Sequence, residues 1–125
     1  MKYLILIQSN PAVIELLAGM TDDEPSTAHQ IYWDVEKELE STGELVDSKA
    51  LDTGAQKLVS RGRLGPLVTD APLPEVTEVV SGYYLVDVVD EARAAVIAAR
   101  FPEAAVTGGV RIARVWTEAD FAANT

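Results

Sequence analysis

Two segments of this chain are apolar on both of their sides, and that restricts the available folds more than any other feature. In Tyr3-Leu4-Ile5-Leu6-Ile7 and in Tyr83-Tyr84-Leu85-Val86, successive side chains of a strand point to opposite faces. A sheet wetted on one face alternates apolar with polar residues, and these two segments do not. Both therefore expect cover above and below. The rest of the chain supplies two helices of useful length, enough for one face of a sheet. A second copy of the same sheet is the simplest cover for the other face, because closed two-fold dimers are the commonest assembly. Each buried Ile or Leu contributes roughly 1.5–3 kcal/mol, so several on the far face sustain a dimer.

The remaining segments arrange themselves around these strands. Asn10 and Pro11 cap and open a short helix through Leu17, which Gly19 closes. An acidic loop over Thr21-Asp22-Asp23-Glu24-Pro25 follows, and Ser26 or Thr27 caps a longer helix reaching Ser41, with Gly43 just past its end. Its stripe of Ala28, Ile31, Tyr32, Val35 and Leu39 keeps to one side. Trp33 lies nearly opposite and needs a packing partner outside its own helix. Glu44 to Leu51 reads as a strand, and Gln56–Ser60 with Leu64–Thr69 as a hairpin around Arg61-Gly62-Arg63. Asp70-Ala71-Pro72-Leu73-Pro74 is a loop, since two prolines this close suit neither helix nor central strand.

Ser81 to Val89 is a strand, and Asp90 caps a helix through Ala99 whose buried side is Ala92, Ala95, Val96 and Ala99. Pro102 ends that helix, Gly108-Gly109 makes a turn, and Val110 to Trp116 is the last strand. The order is β-α-β-(hairpin)-β-α-β. It predicts an α+β fold, a ferredoxin-like β-α-β-β-α-β sandwich with helices on one face. The domain occupies residues 1–116, and 117–125 is a C-terminal tail with only Phe121 to order it.

Composition narrows the function classes. A chain of 125 residues with 48% apolar content fits one domain with one core. Its apolar runs reach five or six residues, far short of the ~20 that span a bilayer. The opening run is also too short for a signal peptide and no cleavage site follows, so a cytoplasmic, non-membrane protein is expected. With no cysteine, disulfides, thiolate nucleophiles and Cys-ligated zinc are excluded. A net charge of −10 argues against nucleic acid, which needs a positive field. A basic protein partner and an anionic ligand on a small basic patch both remain compatible with the charge. No cofactor motif is present: there is no phosphate-gripping glycine loop, no nucleophile elbow and no metalloprotease helix. Asp22-Asp23-Glu24 lacks the loop spacing of a calcium site, so no metal is expected.

Taken in order, several blocks resemble a known family. They are the opening Met1–Ile7, the helix running into Ser41-Thr42-Gly43-Glu44-Leu45-Val46, and Leu67-Val68-Thr69-Asp70-Ala71-Pro72-Leu73 followed by Ser81–Val88. Glu91-Ala92-Arg93, Arg100-Phe101-Pro102 and the ending Val110–Trp116 complete the set. In this order and spacing the chain resembles the YCII-related, DGPF-type domain family, from Met1 to about Trp116. The family signature Thr-Asp-Gly-Pro-Phe stands here as Thr69-Asp70-Ala71-Pro72-Leu73, with Ala71 replacing the glycine and Leu73 the phenylalanine. The resemblance implies a ferredoxin-like domain that dimerises into an α+β barrel with a cleft between subunits. It implies a neighbourhood of sigma-factor genes, and some relatives are proposed hydrolases or dehydrochlorinases using a His–Asp pair.

Single residues then acquire candidate roles. His29, the only histidine, titrates near neutrality and could serve as a general base; an ordinary helix-surface histidine beside Trp33 is the competing assignment. Matched to the relatives' histidine, it sits about one helical turn away relative to Gly43. Asp70 could face the cleft and orient a histidine, or could simply bond backbone amides in its turn. Tyr83 and Tyr84 point to opposite faces, one core and one toward the dimer side, and either could donate to a ligand. Arg61 could clamp an anion, although a hairpin tip is normally solvated. Two functions follow. One is a small homodimeric accessory or binding module, regulatory through a sigma-factor partner, with a small-molecule ligand cleft near the dimer interface. The alternative is a small-molecule hydrolase or lyase with His29 and Asp70 as the catalytic acid/base pair.

Overall fold

The computed structural model of the chain describes residues 1–19, 24–70 and 79–124, with the side chains of the long helix described from His29 onward. The elements run β1 (Lys2–Ser9), α1 (Pro11–Ala18), α2 (Glu24–Thr42), β2 (Leu45–Ala50), β3 (Lys57–Arg61), β4 (Pro66–Asp70), β5 (Val79–Asp87) and α3 (Glu91–Ala98). A 3-10 turn (Pro102–Ala105), β6 (Val110–Arg114) and α4 (Glu118–Ala123) complete them. Thr21, Asp22 and Asp23 of the acidic segment and Ala71, Pro72, Leu73 and Pro74 of the proline loop lie outside the described residues, as does the side chain of Ala28.

The described strands form two sheets, a four-stranded one in the order β2-β5-β1-β6 and the separate pair β3-β4. Every pairing is antiparallel. The chain is thus α+β, with the two doubly apolar strands side by side at the centre. Their register puts Tyr3, Ile5 and Ile7 of β1 on one face with Tyr84 and Val86 of β5. Against that face α2 contributes Val35 and Leu39, and α3 contributes Ala94, Ile97 and Ala98, with Phe101 closing the cluster.

Local chemistry explains where the helices begin and end. The Asn10 side chain accepts a hydrogen bond from the Val13 N–H at 2.8 Å, meeting an amide that the first turn leaves unpaired. Asp90 does the same for Arg93 at 2.9 Å. Gly43 follows α2 with φ 79, a left-handed geometry that glycine takes without a Cβ penalty.

Four sequence expectations need correction. First, α2 begins at Glu24, so neither Ser26 nor Thr27 can cap it; Pro25 falls within the first turn, where its missing N–H costs nothing. Second, α3 buries Ala94, Ile97 and Ala98, whereas Ala92, Ala95, Val96 and Ala99 face outward. Both sets have helical spacing and both are apolar, so periodicity could not choose; Ile97 and Phe101 offer the larger apolar area and win. Third, the hairpin turns at Gly62–Gly65, closed by the Gly62 N–H to the Gly65 carbonyl at 2.8 Å. Arg61 is then a strand residue paired with Pro66. Fourth, the tail is a helix. Thr117 and Asp120 form a reciprocal capping box, Arg114 grips Asp120 through two bonds of 2.8 and 3.0 Å, and Trp116 meets Phe121 edge-on at 5.0 Å.

Candidate functional site

The central register also defines the face away from the helices. One row across the sheet runs Asp47–Leu85–Leu4–Ala113 and the next Lys49–Tyr83–Leu6–Arg111. Its middle is apolar and half-buried in the single chain. At its β2 edge the Tyr83 hydroxyl donates to Asp47 at 2.7 Å, and Lys49 reaches the same carboxylate at 2.7 Å.

On the helix side, residues of α2, β2 and β5 line a cavity of about 290 Å³. Its principal walls are Tyr32, Trp33, Glu36, Ser48, Tyr84 and Glu103. The buried Val35 and Leu39 fix α2 on the sheet. Tyr32 and Glu36, one helical turn apart, are thereby turned toward β2 and β5. Ser48 pairs with Tyr84 across the strands and donates to Glu36 at 2.8 Å. Beneath the cavity, Phe101 stacks with Tyr84 at 4.7 Å between centroids and with Tyr32 at 5.8 Å.

Glu103 is the unusual wall. It lies in the 3-10 turn and is only 4% exposed. The turn can press against the start of β6 because residue 109 is glycine: a Cβ there would sit 2.1 Å from the Glu103 carbonyl oxygen. The Tyr32 hydroxyl donates to Glu103 Oε1. Oε2 is shut off from solvent and has no hydrogen-bond partner among the described residues. Burial pushes the Tyr32 phenol well above its ordinary 10.0, and the Glu103 hydrogen bond and charge push it the same way. Burial likewise raises Tyr84, with Glu36 and Glu103 adding to it. Both phenols therefore stay protonated at neutral pH. The cavity combines aromatic walls, two carboxylates and hydroxyls, an arrangement that encloses an apolar body and fixes a polar group.

The residues singled out from sequence are scattered around this cavity. Tyr84 is in it. Tyr83 also borders it from β5, although its hydroxyl is turned to Asp47 on the opposite face, as strand alternation requires. His29 is exposed on α2 and stacks on Trp33 at 6.1 Å; Trp33, 60% exposed, forms the cavity rim. The stacking is the helix-surface pairing given above as the competing assignment for His29, whereas Trp33 was expected to pack outside its own helix. Asp70 ends β4, is largely exposed, and is bonded to Lys57. That ammonium, by hydrogen bond and charge, holds the Asp70 carboxyl below its usual range. Among the described residues no hydrogen bond joins His29 to Asp70 within one chain. Arg61 is exposed where β3 meets its turn. Sequence reasoning missed Glu36, Ser48 and Glu103, and took Tyr32 for core packing alone. The one available signal was Gly109, read only as a turn residue.

A family model for the YCII-related domain matches residues 1–119. The chain belongs to the YCII-related domain family. The match covers both sheet-forming halves, the hairpin and the cap of α4. It thus reaches a few residues beyond the boundary at Trp116 drawn from sequence. No curated protein matches the chain. Among the described residues of this YCII-related chain, no helix is long and apolar enough to cross a membrane.

Proposed function

We propose that this YCII-related chain is a homodimeric small-molecule-binding module on a ferredoxin-like sheet, with the cavity beneath Trp33 as its ligand site. The observation that carries the binding role is the cavity itself, walled by the aromatic rings of Tyr32, Trp33 and Tyr84 with Glu36, Ser48 and Glu103 as the polar residues beside them. A cavity near 290 Å³ suits a small ligand. The sheet order β2-β5-β1-β6, with helices on one face, supports the ferredoxin-like reading.

The dimer rests on two surfaces. One is the apolar centre of the far face, Leu4, Leu6 and Leu85. The other is the β3-β4 hairpin, in which every residue of both strands is exposed. Leu64 at its tip is 99% exposed, and Leu58, Val59, Leu67 and Val68 are each more than half exposed. An isolated two-stranded hairpin is marginal in water, so an apolar one calls for a surface to lie on. The ligand site lies near its root: β2 ends at Ala50 on the cavity wall, and Gln56 Nε2 donates to the Val80 carbonyl at 2.8 Å.

A fragment screen followed by NMR tests the binding role. Binders should raise the melting temperature and shift the Trp33 indole, and Ser48→Phe, which fills the cavity from β2, should abolish both effects. Binders that leave Trp33 unmoved, or that ignore Ser48→Phe, would place the site elsewhere.

A further inference from the structure

We infer that the β3-β4 hairpin of one copy lies across α2 of a second copy, with the face that carries Val59, Arg61 and Val68 against Trp33, so that each cavity rim is completed by the other chain. The inference rests on the homodimer proposed above and adds where the hairpin rests within it.

Charge separates the hairpin from the rest of the molecule. Residues 57–70 hold Lys57, Arg61 and Arg63 against Asp70 alone, a net +2, so a chain at −10 stands at −12 everywhere else. Lys57 and Asp70 satisfy one another at the hairpin root. Among the described residues Arg61 and Arg63 have no hydrogen-bond or ion-pair partner. Strand alternation then sorts the side chains. Lys57, Val59 and Arg61 share one face with Asp70, Val68 and Pro66, while Leu58 and Ser60 share the other with Thr69 and Leu67. The first face has an apolar centre, Val59 and Val68, and a guanidinium toward the tip. Its complement is a surface that is apolar at the centre and acidic around it.

Helix α2 presents such a surface. From His29 to Thr42 it carries Asp34, Glu36, Glu38 and Glu40 against Lys37, and Arg100 engages only Glu38 of the four carboxylates. Trp33 stays 60% exposed among them although His29 stacks on it. An exposed indole on an acidic helix suits apolar and guanidinium groups together, because tryptophan is the best aromatic face for a cation. Within one chain the hairpin and Trp33 are both exposed, so the hairpin does not cover its own Trp33. Symmetry offers the second copy's. The hairpin is rooted beside its own cavity, where Gln56 Nε2 donates to the Val80 carbonyl at 2.8 Å, and strands of five residues reach about 17 Å. A two-fold axis crossing the hairpins midway lays them antiparallel, tip beside root, and brings each tip to the other copy's cavity.

The absence of cysteine makes the test direct. Leu64→Cys gives a single attachment point for a nitroxide at the hairpin tip, where the native side chain is 99% exposed. An excess of the spin-labelled chain is mixed with the unaltered chain labelled with nitrogen-15, and the two are refolded together from urea. The isotope-labelled chain has two indole signals, Trp33 and Trp116, and only a nitroxide on another chain can broaden them. Trp33 should lose at least half its intensity relative to the same sample with the nitroxide reduced. Trp116, which follows β6 at the other edge of the sheet, should keep its own. Adding Arg61→Glu and Arg63→Glu to the spin-labelled chain should restore the Trp33 signal. Trp116 broadened as strongly as Trp33, or neither indole broadened while light scattering reports a two-chain mass, would overturn the hairpin placement and leave the homodimer standing. A single-chain mass would remove both. A Trp33 signal that stays broadened after the charge reversal would refute the charge pairing, and with it the inference.

Discussion

Glu103 and Gly109 show how a single contact creates the site. Glycine at 109 admits the 3-10 turn, and the turn carries Glu103 under Tyr32. Gly109→Ala must push the turn away from β6. It should destabilise the chain by about 1–3 kcal/mol in urea unfolding, the usual range for overpacking, and loosen the Tyr32–Glu103 bond. The phenols give a prediction in pH. Burial holds Tyr32 and Tyr84 above the ordinary value of 10.0 in the folded chain. The unfolded chain ionises first, so this contribution is fully present below pH 10.0 and declines as pH rises above it. Denaturant melts across that range should show the decline, and Tyr32→Phe should reduce it. None of this was visible in the sequence. His29 stands out by its chemical type and Asp70 by its place in the Thr69–Leu73 signature, whereas the burial of Glu103 depends on a contact between residues whose meeting no local pattern encodes.

At the scale of elements, sequence was informative wherever a cap or a spacing had one physical solution. Asn10, Asp90 and Gly43 mark helix ends as expected, and the Tyr32-Val35-Leu39 stripe of α2 packs where its spacing puts it. It failed where two solutions were equally good. Helix α3 carries two apolar faces, and only the sheet selects between them. Ile97→Ala should therefore cost about 2–5 kcal/mol, while Val96→Ala, on the face expected to be buried, should change stability within about 0.5 kcal/mol; paired denaturation curves check both. The tail failed for another reason: its capping box uses Asp120 where Glu or Gln is usual, and its anchoring by Arg114 is visible only once β6 is in place.

At the scale of the whole molecule, the feature legible from the first residues is also the one with the largest consequence. The sheet has an apolar far face, and its hairpin projects apolar side chains outward. A second chain resting on Leu4, Leu6 and Leu85 would shelter the first surface and give the hairpin something to lie on. Leu6→Asp, at the centre of that face, should then dissociate the assembly while leaving the helix-side core intact. Light scattering coupled to size exclusion at micromolar concentration tests this most directly. The account predicts a mass twice the 13.5 kDa of one chain, falling to that of one chain in Leu6→Asp. A single-chain mass for the unaltered protein would contradict it.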